Sequence, residues 1–238
     1  MIFFIHVLLC AHRRTSQRKI SRMSDLPLLL GHRGARASSS VPENTPASFD
    51  LALKHGCGGF EFDVRLTGDG RLVVCHDPKV GSITVCEATA DQLLQLPLLK
   101  DVLRRYGQRA FLDIELKVQG LESKVLTLLR EYRMEEDCVV SSFLPDVVME
   151  LKTRSARIQV GIIFDKAEEL ACWRETVAEY VIPHYSLVTR ELVEEVHGAH
   201  RKLFTWTVNE RKAMLRLAEW GVDGIISDKT ELLVQTFA

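Results

Sequence analysis

Short apolar runs alternate with amphipathic segments along almost the whole chain from Leu28 onward. Such alternation of strand-like and helix-like segments is typical of a parallel sheet with helices packed outside it. Eight strands close a (β/α)8 barrel, and the pattern contains eight parallel candidates. The sequence therefore predicts an α/β fold, a single-domain (β/α)8 TIM barrel, with strands near residues 28–31, 58–64, 110–116, 139–143, 158–164, 180–183, 203–208 and 223–227.

A doubly wound open sheet is the alternative, but no Gly-x-Gly-x-x-Gly motif follows the first strand to support nucleotide binding. A length of 238 residues suits one barrel domain. Thr45 and Pro46 have the residue types of an N-cap and a first helical position. The predicted helices cover residues 46–55, 97–106, 121–133, a segment from 145, 168–180, 189–200 and 210–220.

The stretch from Gly58 to Asp77 predicts a β-hairpin with an ionisable face. Residues alternate with period two, so Glu61 and Asp63 fall on one face of the outgoing strand. An Asp-Gly turn at residues 68–70 reverses the chain, and the return strand ends at His76 and Asp77. The hairpin therefore brings an imidazole back to the paired carboxylates.

Other charged residues are predicted at the same end of the barrel. His32 and Arg33 end the first strand, and Glu115 and Lys117 lie on the third. Carboxyl ends of barrel strands share one mouth. Buried Glu61–Lys117 and Arg33–Glu115 ion pairs would be a purely structural interpretation, but burying so many ions costs several kcal/mol each unless it is well compensated. Function is the simpler explanation for the whole cluster.

The residue types in the cluster indicate phosphoester chemistry. The three carboxylates Glu61, Asp63 and Glu115 form an oxygen site suited to Mg²⁺ or Ca²⁺. Arg33 and Lys117 suit a phosphate group. His32 and His76 supply a general base and a general acid. Metal, phosphate clamp and acid/base pair together predict a metal-dependent phosphodiester hydrolase.

Composition limits the partners and the compartment. A net charge of −1 gives no sign of a nucleic-acid partner. The six cysteines lack the spacing of zinc sites and are interpreted as free thiols, which favours the cytoplasm.

Residues 1–24 are predicted to be separate from the barrel of residues 25–238. Residues 1–11 are apolar but about half the length that a membrane span needs. Three interpretations stay open: a natural start at Met23, a short membrane anchor, or a partner-binding tail. We expect disorder in this segment unless it is docked, and membrane association only through residues 1–11.

The chain resembles the glycerophosphodiester phosphodiesterase family in an ordered series of motifs from Leu28 to the C-terminus. They are Gly31-His32-Arg33-Gly34, Pro42-Glu43-Asn44-Thr45, Glu61-Phe62-Asp63-Val64, Thr67-Gly68-Asp69-Gly70, Val73-Val74-Cys75-His76-Asp77, Glu115-Leu116-Lys117, Trp206-Thr207-Val208-Asn209 and Asp223-Gly224-Ile225-Ile226-Ser227-Asp228.

This resemblance implies a (β/α)8 barrel with a divalent metal on Glu61, Asp63 and Glu115 and with His32 and His76 as the acid/base pair. It implies cleavage of a glycerophosphodiester to sn-glycerol 3-phosphate and an alcohol such as choline or ethanolamine. We assign His32 as the base and His76 as the acid. Further residues expected to line the site or support it are Glu43, Asn44, Asp113 and Trp206.

The segment between His76 and Pro97 is shorter than in many members of that family, which leaves the substrate open. Lysophospholipase D or cyclising phospholipase activity on the same site is therefore an alternative. A non-catalytic barrel that binds lipid headgroups is another, although it has no need of two imidazoles and a carboxylate triad.

Overall fold

The computed structural model describes residues 26–238, so the predictions for the N-terminal tail lie outside the described residues. The predicted barrel is confirmed: eight parallel strands form a closed sheet, because β1 pairs with both β2 and β11. Going round the barrel, the strands are β1 (Leu28–His32), β2 (Gly59–Leu66), β6 (Phe111–Leu116), β7 (Cys138–Ser142), β8 (Gln159–Phe164), β9 (Tyr180–Pro183), β10 (Lys202–Thr205) and β11 (Gly224–Ser227), and the additional strands outside the barrel are β3 (Leu72–Val74), β4 (Lys79–Val80) and β5 (Ile83–Thr84).

The helices follow the barrel strands and cover the outside of the sheet. Thr45 caps the first of them through its side-chain oxygen, which accepts from the Ser48 backbone N–H, and Gly56, with φ of 106°, caps the other end of that helix. The helices are α1 (Pro46–His55), α2 (Leu99–Tyr106), α3 (Glu122–Glu131), α4 (Pro145–Arg154), α5 (Cys172–Glu175), α6 (Arg190–Gly198), α7 (Arg211–Trp220) and α8 (Thr230–Phe237).

Two helix predictions need correction. The helix expected over residues 168–180 is wrong, since this stretch holds only a 3₁₀ turn and the four-residue α5. Side chains of Arg201 and Thr176 donate to the Trp173 carbonyl, the acceptor that a continuing helix would offer to Val177. In addition, α2 begins at Leu99 rather than at Pro97, and α8 was not predicted.

Side chains alternate along each barrel strand between the outer face, which packs against the helices, and the inner face, which fills the barrel. They therefore form two separate cores. Phe60 points outward and stacks on Phe49 of α1, with ring centroids 4.1 Å apart. Inside the barrel, the ring of Phe204 packs against those of Phe111 and Tyr180, which are the first residues of β6 and β9. Apolar side chains therefore fill the lower part of the barrel and leave its carboxyl end for polar groups.

The predicted hairpin forms and returns the chain to the barrel mouth. β3 pairs antiparallel with β2, with Val74 opposite Val64, and Gly70 takes a positive φ of 78° in the turn. Beyond the hairpin strand, the Cys75 N–H donates to the Asp63 carbonyl at 3.0 Å. His76 consequently follows a residue that is fixed to β2 beside the carboxylates.

Within residues 26–238, no helix combines the length and apolar character needed to cross a membrane. The five cysteines in this part of the chain are free thiols.

Candidate active site

Three buried carboxylates meet at the carboxyl end of the barrel. Parallel pairing of β2 with β6 sets Glu61 opposite Asp113 and Asp63 opposite Glu115. One oxygen from each of Glu61, Asp63 and Glu115 lies within 4.8 Å of the others. The sequence pattern therefore predicted correctly that these three side chains come together.

Two cationic side chains, Lys117 and Arg33, contact the carboxylates. Their partners differ from the ion pairs that a purely structural role would give. Lys117 Nζ lies 2.5 Å from Glu115 Oε1 and 3.4 Å from Asp63 Oδ1. Arg33 Nε lies 3.2 Å from Asp63 Oδ2. The Glu61–Lys117 and Arg33–Glu115 pairs of the structural interpretation do not form; Asp63 instead lies next to both cations.

Burial and mutual repulsion make it unfavourable for all three carboxylates to carry a negative charge at once. Burial, followed by the negative charges of Asp63, Glu115 and Asp113, raises the pKa of Glu61 well above its ordinary value. Burial and the Asp63 charge likewise raise the pKa of Glu115 to about 7. Burial also acts to raise the pKa of Asp63, but Lys117 and Arg33 lower it overall.

The carboxylates have the chemistry of a divalent metal site. Glu61 Oε1 is a buried oxygen without a hydrogen-bond donor, and Asp63 Oδ1 accepts no hydrogen bond and has only the Lys117 ammonium at 3.4 Å. Unpaired buried oxygens are costly, whereas a hard cation takes several carboxylate oxygens as ligands. A divalent ion on Glu61, Asp63 and Glu115 would satisfy these atoms and offset the repulsion. The residues therefore fit Mg²⁺ or Ca²⁺.

The loop after β1 is held by contacts with the carboxylates. The Arg33 N–H donates to Glu61 Oε2 at 3.0 Å, and Arg33 has a positive φ of 51°. Asn44 also has a positive φ, 56°, and its Nδ2 donates to Asp63 Oδ2 at 2.8 Å. Glu43 accepts from Arg33 Nη1 and Arg36 Nε, both at 2.7 Å. Glu43 thus braces the arginines, and Asn44 orients a carboxylate.

His32 is buried at the barrel mouth and is oriented by Asp228. Its Nδ1 lies 2.7 Å from Asp228 Oδ1, and its Nε2 lies 3.8 Å from Glu61 Oε2. Asn209 Nδ2 donates to the other oxygen of Asp228 at 2.7 Å. Burial is the main cause that lowers the pKa of His32, although Asp228 acts against it. Burial would raise the pKa of Asp228, but the hydrogen bond with His32 and its charge keep it below the ordinary range.

His76 lies at the rim and is more exposed than His32. Its Nδ1 lies 2.7 Å from Asp77 Oδ1, and its backbone carbonyl accepts from Arg65 Nε at 2.7 Å. About a third of the His76 side chain, 34%, is exposed. Each histidine therefore uses Nδ1 for an aspartate and leaves Nε2 for other contacts.

Trp206 and Asp113 border a small cavity of about 20 Å³ that is also lined by Glu61 and Glu115. The Trp206 Nε1–H donates to the Ile182 carbonyl, and its ring lies 6.5 Å from the His32 ring. Asp113 Oδ1 accepts from Ser141 Oγ at 2.6 Å, while Oδ2 has no partner. Burial raises the pKa of Asp113 to about 7. Asp113 is therefore buried within the barrel, whereas Trp206, which is half-buried, directly follows the carboxyl end of β10 and forms part of the wall at the mouth.

Some polar residues of the site had no assigned role in the sequence analysis. Asp228 and Asn209 fall in motifs that carry the family resemblance, but only the barrel shows that they orient His32. Arg36 joins Glu43 to Asp228 and had not been singled out. An aspartate directly after the last strand was the available indication for Asp228, since carboxyl strand ends form the mouth.

Comparisons with known proteins agree on one family. The model of the glycerophosphoryl diester phosphodiesterase family matches residues 32–102 and 88–232. The glycerophosphodiester phosphodiesterase of Caldanaerobacter subterraneus subsp. tengcongensis is 33% identical over 236 residues, covering 87% of this chain and 96% of that protein. A glycerophosphodiester phosphodiesterase of Bacillus altitudinis is 30% identical over 231 residues, covering 84% and 94%.

Solved structures share the fold. Glycerophosphodiester phosphodiesterase from Thermotoga maritima has a TM-score of 0.76 at 25% identity, covering 88% of this chain and 97% of that one. An Oleispira antarctica phosphodiesterase, solved in complex with the product sn-glycerol-3-phosphate, has a TM-score of 0.79 at 24% identity, covering 90% and 98%. The latter likeness shows the barrel fold alone.

Proposed function

The chain belongs to the glycerophosphoryl diester phosphodiesterase family, and we therefore propose that it hydrolyses a glycerophosphodiester to sn-glycerol 3-phosphate and an alcohol. The chain is an enzyme, a phosphoric diester hydrolase, and residues 25–238 form its catalytic unit. The observation that carries the proposal is the buried triad of Glu61, Asp63 and Glu115. It lies next to two histidines, each of which is hydrogen-bonded to an aspartate. The cytoplasmic location stays a prediction.

Glu61, Asp63 and Glu115 would hold a divalent cation, Mg²⁺ or Ca²⁺. The buried oxygens that lack donors and the raised pKa values of Glu61 and Glu115 support this assignment. When bound, the ion supplies Lewis-acid polarisation of a phosphoryl oxygen. Arg33 and Lys117 contact the same carboxylates, so their remaining N–H groups are available to a phosphate beside the ion.

His32 acts as the general base. Asp228 accepts the Nδ1–H, which leaves the lone pair on Nε2 free. Burial lowers the pKa of His32 and keeps the ring neutral near pH 7, so Nε2 is ready to accept a proton. Two observations therefore support the role of His32 as base: Asp228 orients its ring, and burial lowers its pKa.

His76 acts as the general acid. As the nucleophile loses its proton to His32 Nε2, its oxygen bonds to phosphorus and the bond from phosphorus to the leaving oxygen breaks. His76 then gives a proton from Nε2 to that leaving oxygen, and the alcohol departs. The rim position of His76 supports this role, because a departing alcohol needs a path to solvent.

Turnover of a glycerophosphodiester with Mg²⁺ or Ca²⁺, followed by phosphorus NMR, tests the proposal. We expect sn-glycerol 3-phosphate as product, and losses of at least about 100-fold in kcat for Glu61→Ala and His76→Ala. His197→Ala is the matched control, since His197 also contacts an aspartate, Asp223, but belongs to the last turn of α6. Near-normal turnover by either site variant would contradict the assignment.

The same NMR assay separates the alternative reactions. A cyclic phosphate that appears before the final product would indicate attack by the substrate's own hydroxyl, as in a cyclising phospholipase. Release of lysophosphatidate from a lysophospholipid would indicate lysophospholipase D activity. Neither product is expected if water attacks a simple glycerophosphodiester.

A further inference from the structure

An open cavity of about 460 Å³ lies directly beside His76. Its apolar wall is formed by Val74, Val80, Leu96 and Pro97, and its polar groups include Lys79 and Gln95. The cavity lies outside the carboxylate cluster, since His32, Glu61 and Trp206 line a separate space of about 20 Å³. It is therefore large enough for a small alcohol and adjoins the proposed acid.

The charges around this cavity do not balance. Glu43 uses both of its carboxylate oxygens on Arg33 and Arg36. Asp77 accepts a hydrogen bond from His76 Nδ1. Lys79 is exposed and forms no ion pair with any residue in the 26–238 range. When His76 carries the proton that it donates as the proposed acid, its charge balances that of Asp77, which lines the same cavity. Lys79 is then the cavity charge without a partner among the described residues.

The cavity also lacks the groups that recognise a quaternary ammonium ion. Such ions are bound by the faces of Trp, Tyr or Phe rings. None of these residue types is among those that line the cavity, whose polar side chains are hydrogen-bonding groups such as Gln95. An uncharged or anionic polyol matches these walls better than choline does.

We propose that this cavity receives the leaving alcohol and that Lys79 makes it select a neutral or anionic polyol over a quaternary ammonium alcohol. The inference rests on the proposed function, because His76 must protonate the oxygen that departs into this space. Lys79 lies on β4, which pairs with β5 through Val80 and Ile83, so a short hairpin fixes the backbone from which the Lys79 side chain extends. Lys79 is thus a specificity residue that takes no part in the chemical step.

Three diesters of sn-glycerol 3-phosphate test this inference, with glycerol, glycerate or choline as the leaving alcohol. Glycerol and glycerate differ chiefly in one carboxylate, which makes them a matched pair. At low ionic strength we expect kcat/KM for the glycerol and glycerate diesters to exceed that for the choline diester by about fivefold or more. Lys79→Glu should lower the glycerate value by about fivefold and raise the choline value by about threefold, with glycerol nearly unchanged.

Two further variants complete the experiment. Lys79→Gln, which removes the charge and keeps a polar side chain, should give an intermediate ratio even if the reversed charge disturbs the hairpin. Lys54→Glu makes the same charge reversal in the last turn of α1 and should leave all three values unchanged.

The outcomes are distinct. A glycerate-to-choline ratio that is the same in wild type, Lys79→Gln and Lys79→Glu would overturn the inference while leaving the proposed function intact. Failure of the wild-type enzyme to cleave any of the three diesters with Mg²⁺ or Ca²⁺ would overturn the proposed function, and the inference with it.

Discussion

His32 Nδ1 lies 2.7 Å from Asp228 Oδ1, although 196 residues separate the two side chains. This contact fixes the ring orientation and places the hydrogen on Nδ1, so that Nε2 is left as the proton acceptor. Asn209 and Arg36 in turn contact Asp228, which limits its movement. The proposed base is therefore positioned by three residues from the two ends of the chain.

Asp228→Asn should lower kcat by about 10²- to 10⁴-fold with a small effect on KM, because an amide does not hold the required tautomer. Asp228 acts to raise the pKa of His32, so its loss should lower that pKa further. The acidic limb of the kcat/KM profile should then move to lower pH. Measurement of pH–rate profiles checks this; an unshifted limb, or a shift to higher pH, would argue against His32 as the base.

Removal of a carboxylate should stabilise the metal-free protein and weaken metal binding. The folded-state pKa of Glu115 is raised to about 7, so the folded state binds more protons than the unfolded state between about pH 4 and 7. Its contribution to the free energy of unfolding therefore falls as pH rises through this window. At pH 7.5 with EDTA, Glu115→Gln should melt at least about 2 °C above wild type.

Measuring the Tm of wild type and of Glu115→Gln at several pH values separates the effect of Glu115 from that of the other carboxylates. The Tm advantage of Glu115→Gln should vanish near pH 4, where both states are protonated. With saturating Mg²⁺ or Ca²⁺ the order of the Tm values should reverse, since the wild type gains more from ligand binding. A constant difference at every pH would show that repulsion in the cluster is not the cause.

Arg33→Lys should lower kcat/KM by about 10- to 100-fold, chiefly through a higher KM. The guanidinium contacts Glu43 and Asp63 at once, and an ammonium cannot reproduce this fork beside a phosphate. Steady-state kinetics on a glycerophosphodiester measures the effect. The control is Arg105→Lys, which changes an exposed ion pair with Asp50 on the outside of the barrel and should stay within about twofold.

Two substitutions of Asn44 should separate backbone conformation from side-chain contact. Asn44→Gly tolerates the positive φ, whereas Asn44→Ala does not, so urea unfolding should show the alanine variant to be less stable by about 1 kcal/mol. Both variants remove the amide that donates to Asp63 and should bind metal similarly weakly in calorimetry. Wild-type metal affinity in Asn44→Gly would show that the amide is not needed to orient Asp63.

The barrel strands were predictable because their signal is local. Period-two alternation identified β2 and β6 to within about two residues and correctly placed Glu61, Asp63 and Glu115 on the inward face. The Asp-Gly turn is also a local signal, and it predicted that the chain returns and brings His76 to the barrel mouth. Helix α1 followed from a Thr-Pro start that needs no distant partner.

The errors occurred where distant residues compete with local preference. Residues 168–180 have helix-forming composition, but Arg201, from beyond α6, takes the Trp173 carbonyl. The ion pairs of Asp63 with Arg33 and Lys117 were not predicted, because they depend on the lateral register of β1, β2 and β6. Sequence spacing places such residues on a face, but it does not say which charge is the nearest.

The sequence by itself determined the barrel strands, their inward faces and most of the ionisable residues at the mouth, because periodicity and turn chemistry act between near neighbours in the chain. The tertiary structure alone decided that Asp228 orients His32 and that Lys79 lines the same cavity as His76. Closure of the barrel through the pairing of β1 with β11 brings the first and last strand ends together, and no local pattern encodes a contact over 196 residues.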